Sequence, residues 1–122
     1  MNTNICILYT DDEPINLYVF ERIFSRKFKV VVANSGLEGL EMIKNNPEIT
    51  LIITDMQMPH LDGIQFIRKA KEIKPNMPCY ILTGYEITPE ISDAIKEGLI
   101  VEYFKKPLEE DLLERAVHKL NK

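Results

Sequence analysis

Little in this 122-residue chain points to a membrane, an oxidising compartment or nucleic acid. Tryptophan is absent, and the two cysteines, Cys6 and Cys79, form no CxxC pair and have no histidine nearby. Each lies inside an apolar run, so both read as buried, reduced thiols rather than disulfide halves or metal ligands. The two histidines, His60 and His118, lack the companions a metal site needs and read as exposed. Apolar runs stop at five residues, far short of the ~20 a membrane helix needs. MNTN passes straight into ICILY, so no leader is expected and a cytoplasmic location is. Excess positive charge is lacking too. With 15 basic residues against 19 acidic ones the net charge is −4, which argues against a sequence-independent grip on a nucleic-acid backbone. No repeat, low-complexity tract or linker divides the chain, so a single domain over 1–122 is expected.

What is present is alternation. Five short apolar runs recur: Ile5–Tyr9, Lys29–Ala33, Ile49–Ile53, Cys79–Leu82 and Val101–Phe104. They are continuous rather than alternating, which predicts strands covered on both faces, as in a parallel sheet. Helical spacing fills the gaps. Ile15, Val19 and Ile23 fall at i, i+4, i+8, with Phe20 and Phe24 widening the stripe. Ser35-Gly36-Leu37-Glu38 has the pattern of a capping box and opens a second helix that ends near Pro47. A third starts at Asp62, better read as a cap than as a ligand, and carries Phe66, Ile67, Ala70 and Ile73. Thr88-Pro89 opens a fourth, which buries Ile91 and Ile95 and stops at Gly98. The last runs from Leu108 through Leu112, Leu113, Ala116, Val117 and Leu120, acidic at its start and basic at its end. The order is (βα)5, an α/β fold with an open, doubly wound, five-stranded parallel sheet and helices on both faces.

Ligands of such sheets bind at the carboxyl ends of the strands. There the sequence places Asp11-Asp12, Asp55, Thr83 and Lys106. Three carboxylates within about 5 Å repel by roughly 3 kcal/mol per pair at an effective dielectric of ~20. A cation relieves that, and an all-oxygen donor set selects Mg²⁺, with Mn²⁺ able to substitute. Lys106 would set a fixed positive charge against a phosphoryl oxygen, and the Thr83 hydroxyl with the Gly84 N–H could donate to another. Asp55 would be the nucleophile, since a carboxylate can form an acyl phosphate.

These residues carry a resemblance that covers essentially the whole chain. Asp11-Asp12-Glu13-Pro14, the D-x-x-M-P-x-x-D-G loop from Asp55 to Gly63, Leu82-Thr83-Gly84 and Lys106-Pro107 together resemble the receiver domain of two-component response regulators, of the single-domain chemotaxis type. The resemblance implies strand order 2-1-3-4-5 and a cis peptide bond before Pro107. It implies that Asp55 accepts phosphate from a phosphohistidine of a sensor kinase or phosphotransfer protein. Asp12 would ligate Mg²⁺ directly, Asp11 directly or through water, Asp55 through an oxygen and Gln57 through its backbone carbonyl. Tyr103 would move inward as Thr83 is drawn to the phosphate, remodelling the surface of the fourth helix, fifth strand and fifth helix. Gln57 and Tyr85 occupy the positions that tune phosphoryl lifetime, and a bulky Tyr85 would lengthen it. A downstream protein or output domain is implied, and contact of this chain with nucleic acid or membrane is not.

Other classes fit less well. A phosphohydrolase with a nucleophilic aspartate would show D-x-D after the first strand and a cap; here the chain reads DDEP, with no insertion to form one. A flavodoxin-like cofactor protein needs a hydroxyl- or glycine-rich loop, whereas Thr10-Asp11-Asp12-Glu13 would repel a phosphate. A receiver used only for docking is the remaining alternative, and the intact acidic pair, aspartate, threonine and lysine argue against it.

Overall fold

A computed structural model describes residues 4–120. Strands and helices alternate throughout: β1 (Cys6–Thr10), α1 (Pro14–Phe24), β2 (Lys29–Ala33), α2 (Gly36–Asn45), β3 (Leu51–Asp55), α3 (Gly63–Ile73), β4 (Cys79–Thr83), α4 (Pro89–Lys96), β5 (Glu102–Lys105) and α5 (Glu110–Leu120). The five strands form one parallel sheet in the order β2-β1-β3-β4-β5. This is the (βα)5 fold and the strand order anticipated above.

The central strands β1, β3 and β4 are buried along their whole length. Coverage on both faces does not extend to β2, where Lys29 is exposed and three valines are only half-buried. As an edge strand it has one hydrogen-bonded neighbour, and its outer rim stays open. Four strands also run further toward the site than their apolar runs suggest, β4 by one residue to Thr83. Thr10, Asp55 and Lys105 are the last residues of β1, β3 and β5. Thr10 can be buried because its hydroxyl meets that of Thr54 across the β1–β3 pair at 2.5 Å. At the other end β3 begins at Leu51 rather than Ile49, whose N–H turns back to the Asn46 carbonyl.

The helices follow their caps. Asp62 accepts from the Gln65 N–H while the Gln65 side chain accepts from the Asp62 N–H, a reciprocal capping box. Ser35 caps α2 by accepting from Glu38, but the Glu38 carboxylate reaches the Asn34 N–H, one residue earlier than that motif expects. Thr88 caps α4, and Gly98 ends it in the left-handed region at φ 81°. The last helix starts two residues after Leu108, following a cis Lys106-Pro107 peptide bond. Leu108 packs as a half-buried residue beneath it.

On α1 the buried stripe is not the one the spacing singled out. Phe20 and Phe24 face the sheet, Ile23 is half-buried, and Ile15 and Val19 stand 64% and 45% exposed. The Phe20 ring stacks on Tyr9 of β1, with centroids 4.1 Å apart, and touches Phe24 at 4.6 Å. Two large rings claim the sheet side, and residues a hundred degrees away turn to solvent. Ile73, Leu112 and Leu120 are likewise at the exposed margins of their helices. Cys6 and Cys79 are free and buried, burial pushing the Cys79 thiol up to about 12, while Met56 and Met58 pack in the core and both histidines are exposed.

Candidate functional site

Parallel register carries the strand ends to one edge. Thr10 pairs with Thr54, so Asp11 comes to lie beside Asp55, and Asp55 in turn pairs with Leu82 and Thr83 with Lys105. Asp11 continues the ladder beyond β1, its N–H donating to the Ala33 carbonyl at 3.2 Å. Its Oδ1 accepts from the Glu13 N–H at 3.0 Å, a short turn that leads the chain into α1. Its side chain is fully buried. Oδ2 accepts from the Tyr9 hydroxyl at 2.6 Å and from the Asn16 amide at 3.2 Å.

Lys106 completes the group. Its Nζ lies 3.4 Å from Asp11 Oδ2 and 3.4 Å from Asp55 Oδ1, bridging two carboxylates that would otherwise repel. Its backbone N–H donates to the Thr83 carbonyl at 2.8 Å, which fixes the base of the side chain against β4. Burial pushes the Asp55 carboxyl above its usual range, and the Asp11 charge adds to the rise; Lys106 and the Met56 N–H oppose it. Tyr9 is shifted far upward, first by burial and then by its bond to Asp11, so its phenol is a donor.

Asp11, Asp12 and Asp55 each offer a carboxylate oxygen, and these oxygens lie within 4.8 Å of one another. The cluster contains no imidazole or thiolate, and a compact set of hard oxygen donors suits Mg²⁺. Gly63 holds the following loop against it. A Cβ at that position would sit 2.6 Å from the Asp55 carbonyl oxygen, so only glycine lets α3 begin this close to the strand end.

The other candidate residues lie around this centre without joining it. Thr83 is buried, and its hydroxyl accepts from the Tyr85 N–H at 3.2 Å; among the described residues no hydrogen bond links it to Asp55. Gln57 is exposed two residues beyond Asp55, and the Tyr85 side chain stands 70% exposed. Tyr103 is half-buried on the face of α2, α3 and α4, paired with Ile81 of β4. Tyr9 and Asn16 were not anticipated as site residues. The signal for Tyr9 was there, since residues two apart on a strand share a face and Tyr9 stands two before Asp11.

A doubly wound parallel sheet with an acidic pocket and a lysine at its carboxyl edge defines a class: flavodoxin-like domains with a carboxylate cluster that could hold a cation. Within that class the chain belongs to the response regulator receiver domain family, whose model matches residues 7–118. A transcriptional regulatory protein of Escherichia coli K12, GlrR, is 33% identical over 112 residues, covering 91% of this chain and 25% of the relative. The chain thus spans about a quarter of the length of that relative. Two-component response regulator ORR5 of rice is 28% identical over 84% of this chain and 78% of its own length. The crystal structure of a response regulator receiver domain protein from Clostridium thermocellum superposes with a TM-score of 0.86 at 35% identity, over 94% of this chain and 92% of that one. No helix among the described residues is long and apolar enough to cross a membrane.

Proposed function

We propose that this domain is a phosphorylation-controlled switch in which Asp55 accepts a phosphoryl group from a phosphohistidine of a sensor kinase or phosphotransfer protein. The observation that carries this is the Lys106 ammonium poised 3.4 Å from both Asp55 and Asp11 at the mouth of a three-carboxylate pocket. An Asp55 carboxylate oxygen attacks phosphorus; the O–P bond forms as the donor's N–P bond breaks, and the departing imidazole nitrogen keeps the electron pair and takes a proton from solvent. Asp12 and Asp55, with the Gln57 carbonyl, would hold Mg²⁺, and Asp11 would act directly or through water. Bound there, the ion supplies positive charge that offsets the carboxylates and the transferring group. Lys106 pairs with a phosphoryl oxygen. The Thr83 hydroxyl, which accepts from the Tyr85 N–H, turns to donate to another phosphoryl oxygen, and Tyr103 follows it inward, altering the α4-β5-α5 surface read by a downstream protein or output domain. The kinase reading implies a cytoplasmic setting, and the whole chain acts as one receiver.

Intact mass after incubation with Mg²⁺ and acetyl phosphate tests the acceptor. One added phosphoryl group, absent without Mg²⁺ and absent in Asp55→Asn, is the expected result. A folded protein that never gains mass would instead be a receiver used only for docking. Given an adduct, amide exchange should change across Gly84–Lys96 and at Tyr103 and stay constant along α1. Tyr85→Ala should then lose its phosphoryl group faster than the parent; an equal or slower loss removes Tyr85 from that role.

A further inference from the structure

Asp11 is unusual among the three carboxylates in how completely its oxygens are already used. A carboxylate offers about four lone-pair directions, two per oxygen. Oδ2 takes the Tyr9 phenol at 2.6 Å, the Asn16 amide at 3.2 Å and the Lys106 ammonium at 3.4 Å, more donors than it has lone pairs. Oδ1 takes only the Glu13 N–H, at 3.0 Å. The side chain is fully buried, and two of its side-chain donors come from different elements, Tyr9 from β1 and Asn16 from α1. Tyr9 is in turn fixed by its stack on Phe20, so the phenol has no freedom to release the oxygen.

We infer that Tyr9, seconded by Asn16, is a positioning residue that sets the cation preference of the site: by occupying Asp11 Oδ2 it forbids bidentate chelation and makes the pocket select Mg²⁺ over Ca²⁺. With Oδ2 filled and the Glu13 N–H on Oδ1, one lone-pair direction is left on the carboxylate, which suits a single bond to the ion or to one of its waters. Mg²⁺ asks for that arrangement, being small, octahedral and reluctant to shed its hydration shell. Ca²⁺ asks for the opposite, six to eight oxygens with carboxylates that can chelate through both atoms. Groups behind a ligand fix its orientation and alter affinity by an order of magnitude or more. The inference rests on the proposed cation site but not on phosphoryl transfer.

Calorimetric titration of the whole domain with Mg²⁺ and, separately, Ca²⁺ tests it without any phosphodonor. The wild type should prefer Mg²⁺. Tyr9→Phe keeps the ring and its stack while removing the hydroxyl; it should weaken Mg²⁺ by about tenfold and Ca²⁺ by less, so that the preference falls at least roughly threefold. Asn16→Ala, at a half-buried position outside the core, should move the ratio the same way by a smaller factor, and serves if Tyr9→Phe does not fold. A folded variant that loses affinity for both ions in equal proportion, or a wild type that takes Ca²⁺ as tightly as Mg²⁺, overturns the inference. A wild type that selects Mg²⁺ but accepts no phosphoryl group would overturn the proposed function and leave this assignment standing; an unchanged ratio beside a normal phosphoryl adduct does the reverse.

Discussion

On the side of the sheet covered by α1 and α5, the core is aromatic: Tyr9, Phe20, Phe24, Phe28, Tyr80 and Phe104, with Tyr9 stacked on Phe20 and Tyr80 on Phe104. On the side covered by α2, α3 and α4 the one fully buried ring is Phe66, set among isoleucines and the methionines Met56, Met58 and Met77. Stacked rings have few alternative packings, whereas methionine fills gaps by changing rotamer. The site straddles this division. Asp11 shares a face with Tyr9, and Asp55 pairs with Leu82, so the acidic pocket opens on the aromatic side. Thr83 follows Leu82 and therefore turns to the other side, as Tyr103 does. Under the proposed function the phosphoryl group is received on the stiff face and reported through the adaptable one. Lys106, whose N–H bonds the Thr83 carbonyl, touches both.

The harshest way to break this contrast is to empty the adaptable face. Phe66 is fully buried, and its ring occupies the space a Cβ at Gly39 would need, 2.8 Å away. Phe66→Ala should cost about 3–5 kcal/mol in urea unfolding. A loss under ~1.5 kcal/mol would show that the methionines collapse into the void and that this side is softer still.

Next in size is a stabilisation. Asp55 carries a raised pKa in the folded protein, so the fold binds its proton more tightly than the unfolded chain does. The stability this contributes is full below the usual value of 3.8 and lost as the pH climbs through the raised one, leaving a charged, poorly solvated carboxylate at neutrality. Asp55→Asn should therefore stabilise the metal-free protein at pH 7 by roughly 1–3 kcal/mol, the scale of one carboxylate pair. The gain should shrink on acidification toward 3.8 and on addition of Mg²⁺. Thermal melts across that pH range check it, and a gain that grows in acid would reverse the assignment of Asp55 as the strained group.

The division between faces also marks what the sequence could convey. Strand ends are local facts: an apolar run followed within two residues by Asp11, Asp55, Thr83 or Lys106 says where those residues will be in a parallel sheet, and three of them do converge. Which flank of a helix is buried is a relation between elements. Ile15 and Val19 satisfy the helical period as well as Phe20 and Phe24, and only the Tyr9 ring across the interface decides between them. Tyr9 itself stood inside an apolar run, where its ring was visible as packing and its hydroxyl was not. The reach of β1 and β3 past their apolar runs has the same origin, because Thr10 is buried by virtue of a partner 44 positions away.

Caps make a smaller contrast between the faces. Asp62 caps α3 on the adaptable side with both halves of a capping box, whereas Glu13, at the start of α1, makes no side-chain cap bond and leaves that role to Pro14 and to the Asp11 turn. Asp62→Ala should cost about 1 kcal/mol and should fray the loop that brings Gly63 onto Asp55. Glu13→Ala should change stability by no more than a few tenths of a kcal/mol, since no cap is lost. Equal losses in chemical unfolding would mean that α1 depends on a contact other than its stacked rings.

The smallest effect concerns two left-handed residues on the adaptable side. Gly98, at φ 81°, ends α4, and His60, at φ 71°, lies in the loop between β3 and α3. A side chain at Gly98 would meet nothing within 4 Å, so Gly98→Ala isolates the backbone term and should destabilise by about 1 kcal/mol. His60 already bears that strain, and His60→Gly should relieve it. The relief is offset by the greater freedom glycine gains in the unfolded chain, about 0.5–1 kcal/mol. The two nearly cancel, leaving His60→Gly neutral to slightly stabilising, within about 1 kcal/mol, by paired urea titrations. Because the histidine is exposed, nothing is lost in packing. A clear destabilisation would therefore mean that the imidazole makes an interaction that holds the loop between β3 and α3 in place, and that the loop is stiffer than the face it rests on.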